Sequence, residues 1–174
     1  MSISTTRPSR RTSSQGPAKR FKLVSAVHLF LIRDNQLLLL RRRNTGYQDG
    51  NYSVVAGHLN GGEPVRAAAA REAREEIGVE VSIRDLDIVG IMHRLSDDER
   101  IDFFLVASSW SGQPTNREPH KCDRLVWFDL DRLPDNVIPY VRRAVDKYRG
   151  AASGSGRHQG PWFESFGWGD LAEA

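Results

Sequence analysis

Residues 57–79, GHLNGGEPVRAAAAREAREEIGV, constrain this chain more than any other stretch. Pro64 suits the first helical position, because its missing N–H would have had no partner inside the helix. Ala67, Ala68, Ala69 and Ala70 are strong helix formers, and Gly78 is a natural C-terminal stop. A short helix therefore leaves a glycine-rich loop. At roughly 100° per residue, Glu75 and Glu76 lie about 60° to one side and about 40° to the other of Glu72. Three carboxylates share one helix face. Glu75 and Glu76 also sit in the last turn, where the negative end of the helix dipole disfavours anions. Acids crowded there need a cation. Arg71 and Arg74 supply part of that charge; a divalent metal supplies it more completely, and oxygen donors of this kind suit Mg²⁺ or Mn²⁺.

Around this helix the sequence reads as strands. FKLVSAVHLFLIRD is rich in β-branched and large apolar residues and ends in the turn signal Asp34-Asn35, with QLLLLRRR following at once. Residues 21–33 and 36–42 are thus expected to be two strands joined by a tight turn. A Gly/Asn/Asp-rich loop and a short strand at 52–56 lead into Gly57. Further strands are expected at 87–94, 101–108 and 125–130, and a final helix at about 139–148 with Val141, Ala144, Val145 and Tyr148 on one face. Strands, helix, strands, helix predicts an α+β chain, an α/β/α sandwich around a mixed sheet.

A chain of 174 residues suits one domain, here assigned to 21–149. Residues 1–20 contain five basic residues and no acidic ones. They read as a disordered leader. With a net charge of +3 overall, the remainder carries −2, so the pI of 9.3 reflects the leader and argues against a nucleic-acid partner for the folded part. Cys122 is the only cysteine, which excludes an intrachain disulfide and points to a reducing cytoplasm. No apolar run is long enough for a signal peptide or a membrane span. Residues 150–174 read as a linker followed by a tail carrying Trp162, Phe163, Phe166 and Trp168, expected to dock on its own domain or on a second copy as a homodimer.

Gly57, Glu63, Arg71, Glu72, Glu75, Glu76 and Gly78 stand at the spacing of the Nudix signature, and the chain resembles the MutT-like Nudix hydrolases. Ala73 is small where that pattern has a larger aliphatic residue. The resemblance implies the Nudix fold and hydrolysis of a nucleoside diphosphate linked to a further group, with Mg²⁺ as cofactor. It implies Glu72, Glu75 and Glu76 as metal ligands, with Gly57 adding its carbonyl. It also places Glu63 and Arg71 as a pair holding loop to helix, Arg71 being counted with the catalytic group. For the base that activates water, Glu72 and Glu118 are both candidates. Glu118 is the only acid of the loop at 116–121 and stands nine residues before Trp127.

Such chemistry has a physical rationale. A diphosphate repels an incoming nucleophile until cations neutralise it and water is held in line. Arg41, Arg42 and Arg43, at the end of the second strand, are candidate phosphate ligands. Alternation along a strand lets only part of that cluster face one site. Tyr52 and His93, and beyond them His28, Tyr47, Asp102 and Phe104, are candidates for the pocket. The substrate expected first is a nucleoside 5′-triphosphate giving monophosphate and pyrophosphate. His93-Arg94 and Leu95-Ser96 stand where ADP-ribose- and dinucleoside-cleaving relatives often carry a proline or a tyrosine. A nucleotide sugar or another small diphosphate is the alternative, and a nucleotide-binding regulator is the alternative of another class.

Overall fold

The computed structural model describes residues 20–153 and 160–169. β1 (Val24–Arg33) and β2 (Gln36–Arg42) form the expected hairpin. Asp34 and Asn35 both take positive φ, 52° and 58°, the turn whose twist matches a two-residue hairpin. There follow β3 (Tyr52–Ser53), β4 (Val55–His58), α1 (Val65–Ile77), a 3-10 turn at Ile83–Asp85, β5 (Leu86–Leu95), β6 (Glu99–Ala107), β7 (Cys122–Asp129), α2 (Pro139–Ser153) and β8 (Trp162–Phe166).

The sheet runs β3-β2-β1-β6-β5-β8, with β4 paired to β1 and β7 to β2. The β1–β6 and β5–β8 pairs are parallel and the rest antiparallel, so the sheet is mixed, as expected. Each face has its own core. Val27, Leu29, Leu31, Leu38 and Leu40 pack with Ala68, Ala69, Ala73 and Ile77 of α1. Phe30, Leu37, Leu39, Met92 and Phe104 pack with Tyr140, Val141, Ala144 and Val145 of α2. Burial on both faces explains why 37–40 is an unbroken leucine run and not an alternation. Ala73, fully buried, lets α1 lie close to the sheet. Among the described residues no helix is long and apolar enough to cross a membrane.

Several boundaries differ from expectation: β1 begins at Val24 rather than 21, β7 at Cys122 rather than 125, and three further readings change more. The strand read at 52–56 is split, because β3 pairs with β2 while β4 turns to pair with β1. α2 continues to Ser153, into the segment read as linker. The aromatic segment is a strand, parallel to β5, with Trp162 opposite Gly90; a Cβ on Gly90 would lie 2.0 Å from the indole. Glu164 pairs with Arg143 and Lys147 of α2 at 2.7 and 2.6 Å, and Trp168 Nε1 donates to the His93 carbonyl at 3.0 Å. Trp162, Phe166 and Trp168 are thus docked on their own domain, one of the two expected placements, while Phe163 stays exposed. The leader (1–19) and residues 154–159 of the linker lie outside the described residues.

The α2 face also holds a buried polar cluster. Asp102 accepts from Arg94 Nε at 2.6 Å and faces His28 Nε2 at 3.3 Å, while the Arg94 guanidinium lies 4.0 Å from the centre of the Tyr140 ring. Burial drives the Asp102 carboxyl upward, but His28 and Arg94 outweigh it and hold the pKa at about 2.

Candidate active site

The glycine-rich loop and α1 are tied together by one arginine. Arg71 Nη2 and Nε donate to the two oxygens of Glu63 at 2.8 and 3.1 Å, and Nη2 also reaches the His58 carbonyl at 3.1 Å. Glu63 additionally accepts from the Asn60 amide at 2.9 Å. With Arg71 first and Asn60 second, these bonds hold the Glu63 carboxyl below its usual range. Arg71 Nη1 then turns the other way, to Glu72 Oε1 at 2.6 Å and Glu75 Oε2 at 3.1 Å. Glu72 is buried, packed so tightly on β4 that a Cβ on Gly57 would lie 1.9 Å from its Oε1. Its carboxyl is raised by that burial, against the pull of Arg71. Glu76 accepts from the Ala56 amide at 3.1 Å, and burial pushes its pKa up to about 8.

The C-terminus of α1 positions the facing loop. Gly78, at φ 69°, ends the helix in the left-handed conformation that glycine adopts without strain. The freed carbonyls of Glu76 and Ile77 accept from Arg117 N and Thr115 N, both at 2.9 Å. That capping carries Glu118 to the site, where Lys121 Nζ holds its Oε1 at 2.8 Å. The result is a cavity of about 740 Å³ with Gly57, Arg71, Glu72, Glu75, Glu76 and Glu118 around the acidic wall. Arg42 and Lys121 also line it, supplying positive charge.

Of the arginine cluster, only Arg42 lines this cavity. Arg41 points to the opposite sheet face and is held by Asp123 in a two-pronged pair, both contacts 2.7 Å. Arg43 is fixed through its backbone amide to the Lys121 carbonyl. Tyr52 does not reach the site, because its parity on β3 sends the ring into the α2-side core against Phe128. His28, Asp102 and Phe104 lie on that same face. His93 is displaced differently: it pairs with Glu99 at 2.8 Å and meets the Trp168 ring, 4.6 Å between centres, beside β8. Tyr47 stands under the Arg42 guanidinium, 5.5 Å from the ring centre. Asn44, Thr45, His58, Asn60, His120 and Lys121 line the cavity without having been singled out. The signal that finds Lys121 is its place three residues after Glu118 in a loop tied to the helix.

The acidic wall suits a divalent cation in its chemistry. Among the described residues no three His, Cys, Asp or Glu side chains converge on one point, since Arg71 stands between Glu72 and Glu75 and Glu76 turns to an amide. Yet the donors are hard oxygens, and the half-buried Glu76 carboxyl, whose ionised form its surroundings disfavour, gains from a nearby positive charge. Glycine at 57 leaves the room that the Glu72 carboxylate requires.

Comparison with known proteins bears on the family and the fold. Residues 22–148 match the family model described as the NUDIX domain. The NAD-capped RNA hydrolase NudC of Pseudomonas aeruginosa is 30% identical over 136 residues, which cover 77% of this chain and 47% of that protein. The chain thus spans about half the length of the NudC relatives it matches. An ADP-ribose pyrophosphatase of Methanocaldococcus jannaschii is 26% identical over 150 residues, 82% of this chain and 86% of that one. In fold, a MutT NUDIX hydrolase from Burkholderia pseudomallei superposes with a TM-score of 0.68 at 24% identity, covering 73% of this chain and 98% of the other. The helix with its three acids, the loop locked to it and the sheet that carries both are those of the Nudix family, to which this chain belongs.

Proposed function

We propose that the protein hydrolyses a diphosphate bond in a nucleoside diphosphate joined to a further group, with a divalent cation. The observation that carries this reading is a single cavity in which Glu72, Glu75 and Glu76 occupy one wall and Arg42 and Lys121 also contribute. Glu72, Glu75 and Glu76, with the Gly57 carbonyl, would hold Mg²⁺ or Mn²⁺, which when bound neutralises phosphate charge and lowers the pKa of water. Arg42 and Lys121 bind phosphate oxygens and orient the substrate across the cavity. Arg71 fixes the direction of Glu72 and Glu75 while Glu63 fixes Arg71. Glu72 and Glu118 are the two groups able to take a proton from the attacking water; Lys121 keeps Glu118 turned to the cavity.

Within that class, a nucleoside 5′-triphosphate is the first substrate, giving monophosphate and pyrophosphate. An ADP-ribose-like diphosphate is a second reading, favoured by the relative of that name, 86% of whose length is matched. A Mg²⁺-containing screen of nucleoside triphosphates, ADP-ribose, nucleotide sugars and dinucleotides tests both through the products. Monophosphate with pyrophosphate supports the first; two monophosphates from ADP-ribose support the second. Glu75→Gln with Glu76→Gln is expected to lower the rate at least 100-fold. Unchanged turnover by that variant, or binding without any turnover by the wild type, would overturn the enzymatic reading.

A further inference from the structure

The loop between β2 and β3 is folded around Asp49, a residue that does not itself line the cavity. Its carboxylate accepts from the Thr45 amide at 3.0 and 3.1 Å, from the Gly46 amide at 3.1 Å and from the Thr45 hydroxyl at 2.6 Å. The Thr45 hydroxyl, while donating to Asp49, accepts from Arg42 Nη2 at 3.0 Å and from the Tyr47 amide at 3.3 Å. Arg42 Nε is taken by the Tyr47 carbonyl at 2.8 Å, and the Tyr47 ring underlies the guanidinium. Among the described residues Arg42 Nη1 has no hydrogen-bond acceptor, and Arg42 lines the cavity. The chain Asp49–Thr45–Arg42 therefore fixes one cation while leaving its Nη1 amino group unused.

This conformation is not one the loop adopts by default. Asn44, Gly46, Gln48 and Gly50 all have positive φ, at 53°, 77°, 53° and 84°, and two of them are not glycine. The carboxylate of Asp49, satisfied by two backbone amides and a hydroxyl, is what offsets that strain. Its pKa is held below the usual range, first by the Thr45 hydroxyl and then by the Thr45 amide. The ends of the loop are pinned as well, by Gly50 N to Arg42 O and Asn136 Nδ2 to Gly50 O, at 2.9 and 2.8 Å.

We propose that Asp49 is a positioning residue for substrate phosphate, acting through Thr45 to hold the Arg42 guanidinium at the cavity. The inference rests on the hydrolase reading above, but its test does not require turnover. Inorganic pyrophosphate, with Mg²⁺, is titrated calorimetrically into the full chain and its variants. Asp49→Ala and Thr45→Val are each expected to weaken pyrophosphate binding about tenfold, and Arg42→Ala at least as much. The Asp49→Ala/Arg42→Ala double variant should bind no more weakly than Arg42→Ala alone, because the first residue acts only through the second. Thr45→Val removes the hydroxyl link while keeping both amide contacts to Asp49, so it answers the question if Asp49→Ala fails to fold. With whichever substrate the screen identifies, Asp49→Ala should raise KM about tenfold and leave kcat within a factor of two. Multiplying effects in the double variant, wild-type binding by Thr45→Val, or no pyrophosphate binding by the wild type would each overturn the proposal. A wild type that binds pyrophosphate in this pattern but turns over nothing would sink the hydrolase reading and leave this one standing.

Discussion

Gly57→Ala separates the site from the fold. An added methyl carbon would lie 1.9 Å from Glu72 Oε1 and 2.0 Å from its carboxyl carbon, whereas ordinary contact begins near 3.4 Å. The carboxylate must retreat by about 1.5 Å. It is the far end of a side chain, so it swings aside at little cost to the backbone, and the Gly57 backbone is not in the left-handed region. Overpacking of this kind costs about 1 kcal/mol of stability. The cost to catalysis is larger, because displacing a reacting group by about 1 Å lowers the rate roughly 100-fold, or about 2.7 kcal/mol of barrier. Steady-state kinetics on the substrate identified by the screen, with urea unfolding of the same samples, is the assay. The expected result is kcat down at least 100-fold with the urea midpoint lowered by only about 0.5 M, the shift that about 1 kcal/mol produces. A kcat within twofold of wild type would refute the placement of Glu72 in the chemistry; equal losses of activity and stability would refute the claim that the clash is confined to the site.

Asp102 supplies a pH dependence with a definite sign. Its folded pKa of about 2 lies below its ordinary value of 3.8, so it adds about 2 kcal/mol of stability that is fully present above about pH 4 and lost as pH falls towards 2. Urea midpoints measured between pH 5 and 2 should show this loss, and Asp102→Asn should flatten that part of the profile. Gly90→Val drives a side chain into the half-buried Trp162 indole, which packs against the α2-side core. It should release β8, seen as faster amide exchange across Trp162–Phe166 and new proteolytic cleavage there. Gly150→Ala lies within α2 with nothing inside 4 Å of its Cβ and should raise stability by about 0.5–1 kcal/mol in thermal unfolding.

Much of this protein is legible in the residues themselves. Helical periodicity alone places Glu72, Glu75 and Glu76 on one face, Gly78 ends the helix, and Asp34-Asn35 closes a hairpin, because each is a property of a few neighbouring residues. The unbroken leucines of β2 say that both faces are covered without saying by what. Pairing across the sheet decides the rest. Strand parity sends Tyr52 and Arg41 to the α2 side and leaves Arg42 at the cavity, a choice the triplet Arg41-Arg42-Arg43 cannot express by itself. His93 looks available for substrate until β8 pairs with β5 and the residues just after it bring Trp168 against the imidazole. Glu118, a candidate base already in the sequence, reaches the acids only because the free carbonyls at the end of α1 capture Thr115 and Arg117 and draw their loop in. Local chemistry is written in order along the chain; which charges face each other depends on long-range pairing, and only the folded sheet sets that.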